Sequence, residues 1–206
     1  MSRFFAALGS ARPVPAGGSA AAAAAAMAAG LVEKAARLSV THWIGATNIG
    51  KRAAVLRQQA ARMVEADAAA YTDFMQATRA ARGLHTAERE RIVGPARNRI
   101  VEVPLEIVRA AAEVAGLGVQ MAEHGNPNLR SDAVTAVHLA AAAAQGAAAT
   151  IAATIAADVK AASDARLTEA RSLAKDATER ARKLPAPGPA GGPGRGRARS
   201  AGSARR

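Results

Sequence analysis

Along most of this chain, small and apolar residues recur every three or four positions, the period of an α-helix, and strand-like alternation is scarce. Residues 2–9 read as a short amphipathic helix. Pro13 to Gly18 forms a rigid, then flexible, turn. Ser19 is a suitable N-cap for a helix reaching about Ser39, and that segment is small or apolar nearly all round until Glu33. A helix without a polar face is normally buried, so this one is expected at the centre of a bundle. Leu38 to Ile44 is the one β-like stretch.

A second long helix is expected from about Lys51 to Ala80. Leu56, Ala60, Met63, Ala70 and Phe74 share one face of it. Asp67 falls in the middle of that stripe, whereas Glu65 and Asp73 fall off it. Gly83 to Thr86 reads as a turn, and Thr86 with Arg89 and Glu90 opens another helix. Pro104 suits a first helical turn, which predicts a separate helix from there to about His124, ended by Gly125-Asn126-Pro127-Asn128. Ser131 then caps a helix to about Lys160 whose many alanines permit close packing. A polar helix spans roughly Ala165 to Leu184. The expected fold is all-α, a multihelical bundle around a buried Ala-rich central helix, over residues 1–184. Residues 185–206 are rich in Pro, Gly and Arg and cannot bury apolar surface, so they are expected to be a disordered basic tail.

Composition narrows the chemistry. Aromatic residues are only 2% of the 206, so the core is built from Ala, Val, Leu and Ile. There is no Cys, which excludes disulfides and thiolate metal sites and fits a reducing cytoplasm. The alanine run 20–29 is too weakly hydrophobic for a membrane span, which needs about 20 strongly apolar residues. No membrane partner is expected. The formal net charge is +12; the tail arginines (Arg195, Arg197, Arg199, Arg205 and Arg206) supply 5 of it, leaving the body at +7. A basic body suits an anionic ligand, and the tail admits weak nucleic-acid contact. A solvated basic surface accounts for the same charge.

Gly45-Ala46-Thr47-Asn48-Ile49-Gly50-Lys51 matches the first seven positions of a phosphate-binding loop, but Arg52 stands where the magnesium-binding hydroxyl belongs. It reads better as a basic turn. His42, His85, His124 and His138 show no metal-ligand spacing, and no metal site is expected. Gly17-Gly18-Ser19 before a helix is a turn with a cap, or an anion site built from free N–H groups. Ser131 and Asp132 also have a capping explanation. Asp67 stands apart: a carboxylate on a core stripe is costly unless it is paired or functional.

Several segments resemble one family. Pro13-Val14-Pro15-Ala16-Gly17-Gly18-Ser19 is similar to the Pro-x-Pro-Gly-Gly-Gly-Ser opening of the formiminotetrahydrofolate cyclodeaminase and methenyltetrahydrofolate cyclohydrolase family. Val64 to Tyr71 resembles its Asp-Ala-(aromatic) helix segment. Arg79, Val103-Pro104-Leu105 and Gly125 to Asp132 follow in the same order. The first Gly of the family's Gly triplet is Ala16 here, its basic-aromatic loop is shortened or replaced by Ile44 to Arg52, and two late Asn positions are Thr150 and Thr154. The resemblance implies a multihelical homodimer acting on a tetrahydrofolate derivative as substrate, with no permanently bound cofactor. It implies a catalytic Asp67 and substrate binding by Gly17, Gly18, Ser19, Arg79, Asn126, Ser131 and Asp132. Small residues on several faces of Ala110 to Val119 also suggest a dimer. Two other readings stay open: a non-catalytic helical interaction protein that keeps the fold, and a nucleic-acid-associated basic protein. Truncation after Leu184 is expected to leave the melting temperature unchanged; a large drop would show that the tail docks.

Overall fold

The computed structural model describes residues 2–156 and 164–184. Its elements are α1 (Ser2–Leu8), α2 (Gly17–Arg37), α3 (Ala46–Ala80), α4 (Thr86–His124), a 3-10 turn (Pro127–Leu129), α5 (Arg130–Ala156) and α6 (Ala165–Lys183). No strand occurs among the described residues. The all-α expectation holds, and α2 is the buried centre, packed at once against α3, α4 and α5. A second alanine helix, α5, lies between α2, α4 and α6. Ala22, Ala25, Ala28 and Ala29 of α2 and Ala140, Ala143, Ala144 and Ala147 of α5 are all within the core. Side chains this small let helix axes approach closely, so dense packing is reached without aromatic bulk. Where approach is closest, even Ala is too large: a Cβ on Gly118 of α4 would meet Val137 of α5 at 2.6 Å.

Glu33 shows how the buried helix carries a carboxylate. Arg57 of α3 donates to it at 2.7 Å, and Arg37 pairs with it at 2.6 Å. Ser39, also fully buried, gives its hydroxyl proton to the Ala35 carbonyl and accepts the Asn126 N–H, tying the end of α2 to the start of the 3-10 turn.

Several boundaries differ from expectation for identifiable reasons. Ser19 does not cap α2; the N-cap is Ala16, with no side-chain bond, and Ser19 sits inside the first turn. Leu38 to Ile44 is a series of turns, because no neighbouring strand exists to pair with it, and Ile44 stays 93% exposed. Pro104 does not begin a helix. It lies inside α4 with Pro95, where burial of Val101, Val103, Leu105, Ile107 and Val108 offsets the lost backbone bond. Ser131 lies within α5, and the capping group upstream is Asn126, whose side chain accepts the Asn128 N–H. Asp164 caps α6. Two of the small residues between Ala110 and Val119 face other helices of the same chain: Gly116 faces Arg180 of α6 and Gly118 faces α5. One stretch, Pro127–Ala156, is long and apolar enough to cross a membrane by length and composition alone, well away from the 20–29 run. The core helix of a bundle passes the same test, and α5 packs on three others. The 185–206 tail and the expected end of the long helix at Lys160 lie outside the described residues.

Close packing of alanines is testable. Ala28→Leu, at a position with 0% exposure, is expected to destabilise the fold by about 1–3 kcal/mol through overpacking. Ala142→Leu, on the exposed face of α5, should stay within about 0.5 kcal/mol. Chemical denaturation of the two variants checks the contrast.

Candidate active site

A cavity of about 680 Å³ opens beside the N-terminus of α2. Gly17 and Gly18 form its inner end. One face of α3 supplies Asp67, Tyr71, Phe74 and Thr78, spaced 4, 3 and 4 residues apart, so they line up along the helix. α4 answers from the opposite wall with Arg89, Val93, Arg97 and Ile100, and the end of α5 adds Thr150, Ala153 and Thr154. Asp67 is the one acidic residue lining the cavity among the described residues.

The carboxylate of Asp67 is seated on the first turn of α2. The Ser19 hydroxyl donates to its Oδ2 at 2.8 Å, and the Ser19 backbone N–H also donates to it. Gly18 is required by this contact. A Cβ there would collide with both carboxylate oxygens and lie 2.6 Å from Cγ. Burial pushes the Asp67 carboxyl above its ordinary value, and the Ser19 bonds pull it only part of the way back. The positive end of the α2 dipole acts in the same sense as Ser19. The result is a half-buried carboxylate held firmly on one side and open to the cavity on the other. Such a group can take up and return a proton closer to neutral pH than an exposed Asp.

Of the residues singled out in the sequence, Gly17, Gly18, Ser19 and Asp67 come together. Ser19 does so from behind: it is 0% exposed, and its hydroxyl is committed to Asp67. Arg79 is exposed in the last turn of α3 and does not line the cavity. Asn126, Ser131 and Asp132 lie at the other end of α2. Asn126 donates to the Leu38 carbonyl at 3.4 Å, and Asp132 pairs with Lys34 at 2.7 Å. Asp67 contacts Ser19, so along the α2 axis Asp132, beside Lys34, stands roughly 22 Å away and Asn126, beside Leu38, roughly 28 Å away. Thr150 and Thr154 do reach the cavity, but each turns its hydroxyl back to a carbonyl of its own helix, Gly146 and Thr150 respectively. The phosphate-loop-like run Gly45 to Lys51 is the start of α3, with Ala46 and Ile49 packed in the core.

The sequence did not point to Thr78, Arg89 or Arg97. Thr78 was within reach, because it extends the Asp67 stripe by one more turn after Phe74. The arginines were not, because their position depends on α4 starting at Thr86 and folding back along α3. Among the described residues, no group of three or more His, Asp or Glu could hold a metal ion.

The family model described as Formiminotransferase-cyclodeaminase matches residues 1–182. No curated protein sequence is a significant match. The chain is similar to a crystal structure of formiminotetrahydrofolate cyclodeaminase from Thermotoga maritima, with a TM-score of 0.76 and 20% identity over 89% of this chain and 93% of that one. At that identity the likeness establishes the fold.

The raised carboxyl has a stability consequence. Between the ordinary Asp value of 3.8 and the higher folded value, the folded protein binds more protons than the unfolded chain at this site. Stability from Asp67 therefore falls as pH rises through that window. Asp67→Asn has no such titration. Relative to wild type, it should gain stability as pH rises through the window and then level off. Melting curves of the two proteins across acidic to neutral pH check this.

Proposed function

Because the chain belongs to the formiminotransferase-cyclodeaminase family, we propose that it acts on a one-carbon unit carried by tetrahydrofolate, with Asp67 as the proton-transfer group. The observation that carries this reading is the Asp67 carboxylate itself, raised by burial, oriented by Ser19 and open to a cavity large enough for a small-molecule ligand.

In the cyclodeaminase reaction, N10 of the folate bonds to the formimino carbon and its proton passes to the imino nitrogen. A second proton on that nitrogen lets it leave as ammonia, and the methenyl bridge formed carries the positive charge. In the cyclohydrolase reaction, water adds to the methenyl carbon and loses one proton; the remaining hydroxyl proton then passes to N5 as the carbon–N5 bond opens, which leaves a formyl group on N10. Both need one group that accepts and returns a proton beside the carbon. Asp67 fits that need, with one side fixed by Ser19 and the other free. Free N–H groups of Gly17 and Gly18 in the first turn of α2 offer donors to a substrate heteroatom. Ser19 serves as a positioning residue, acting through Asp67.

A second reading, a non-catalytic protein that keeps the fold, gains from Thr150 and Thr154, whose hydroxyls are spent on their own helix. Turnover decides between the two. Asp67→Asn should lower turnover by about 10²–10⁴ while the fold is retained; an Asn variant as active as wild type would remove the catalytic assignment. Assaying purified protein with 5-formiminotetrahydrofolate for ammonia, and with 5,10-methenyltetrahydrofolate for loss of its absorbance, separates deaminase from hydrolase. Ser19→Ala removes the hydroxyl donor that helps hold the Asp67 value down, leaving the backbone N–H in place, so the acid limb of the pH–rate profile should move to higher pH. An unmoved limb would mean that Ser19 is only a packing residue. A homodimer is proposed as well, on the family resemblance, and light scattering tests it.

A further inference from the structure

We infer that α1 closes over the ligand-filled cavity, with Phe4 and Phe5 supplying the outer wall of the binding site. The inference rests on the folate reading and adds the part of the chain that covers the bound ligand. Aromatic residues are scarce: three Phe, one Tyr and one Trp in 206 residues. Tyr71 and Phe74 line the cavity, and two of the other three, Phe4 and Phe5, stand on a helix of seven residues, none of them buried. Phe4, Phe5 and Leu8 share one face of α1 by the helical period, yet they lie outside the core and outside the side chains packed against it. Phe5 is 55% exposed, and the two rings meet each other with centroids 6.0 Å apart. A helix this short is marginal without tertiary packing, and an uncovered aromatic face on it marks a contact surface.

The chain leaves α1 within reach of the cavity. Val14, six residues past Leu8, already lines it, followed by Ala16, Gly17 and Gly18. The hydrogen bonds of Gly9, Ser10 and Arg12 run back to Phe5, Ala7 and Ser10, so they stay inside the segment and do not tie it to the body. Six residue steps span up to roughly 20 Å when extended, more than the roughly 16 Å from Asp67 to Thr78 along α3. The cavity offers a matching surface: Tyr71 is 39% exposed, and Phe74 follows on the same face of α3. A flat ligand lying on these rings turns its other side to the mouth, where α1 can cover it. Leu38, Val40 and Ile44, also exposed, sit at the opposite end of α2, roughly 30 Å along its axis and out of reach of that tether. Closure keeps bulk water from the carbon held beside Asp67, as covering segments do in enzymes generally.

The test combines amide hydrogen exchange and calorimetric titration of the full chain with tetrahydrofolate. Amides of residues 3–12 should exchange more slowly when the ligand is bound. The joint variant Phe4→Ser with Phe5→Ser should keep the wild-type melting temperature, because neither ring is in the core, and weaken tetrahydrofolate binding by about tenfold, the scale of partial burial of one phenyl ring. The loss should appear as faster dissociation, and Phe4→Leu with Phe5→Leu should recover part of it. Ile44→Ser, at the other end of α2, should do nothing. Ligand binding that leaves residues 3–12 unprotected, or a serine variant that binds as tightly as wild type, overturns the closure and leaves the folate reading standing. A serine variant that loses affinity only because light scattering shows a dimer falling apart places α1 on a second copy, which overturns the closure as well. Failure of wild type to bind tetrahydrofolate overturns both.

Discussion

The contact on which the site depends is a carboxylate lying on the first turn of a buried helix. Asp67 can sit there only because residue 18 has no side chain, and it stays there because Ser19 grips one of its oxygens. The carboxylate is therefore both a packing feature and the one acidic group that faces the cavity among the described residues. Its unusual proton affinity follows from the same burial that positions it.

Alanine makes such a seat available. Larger side chains on α2 and α5 would hold the helices apart and fill the space where the cavity now opens. With small side chains, the helices close up along most of their length, and the bulky Tyr71 and Phe74 are reserved for the lining of the cavity. The polar cost of this mostly buried helix is confined to its ends and to Glu33. First-turn donors meet Asp67, Glu33 is neutralised by Arg37 and Arg57, and Ser39 closes the last turn.

The two ends of α2 have different characters. The N-terminal end has donors, a single carboxylate and a cavity. The C-terminal end is a structural knot in which Ser39, Asn126 and the Leu38 carbonyl satisfy one another, with Lys34 and Asp132 paired beside them. Asn126 and Asp132 in this chain are accounted for by those bonds. Trp43 and His124 pack nearby with their rings tilted and the centroids 5.2 Å apart, which adds apolar cover to the same corner.

Much of this was legible along the chain because helices report themselves locally. The 3.6-residue period exposed the helices, the absence of a polar face marked α2 as buried, and a lone charge on the Leu56 to Phe74 stripe marked Asp67. What depended on packing was not legible. Pro104 looked like a helix start because the sequence does not show the burial that carries a helix through it. Leu38 to Ile44 looked strand-like because alternation is visible locally and a missing partner strand is not. Ser19 looked like a cap because capping is a short-range habit of serine, whereas its actual bond spans 48 residues. Thr78, Arg89 and Arg97 share a cavity only through the antiparallel return of α4 along α3. Periodicity determines which face of each helix is buried, but only the close approach of one helix to another decides which side chains meet.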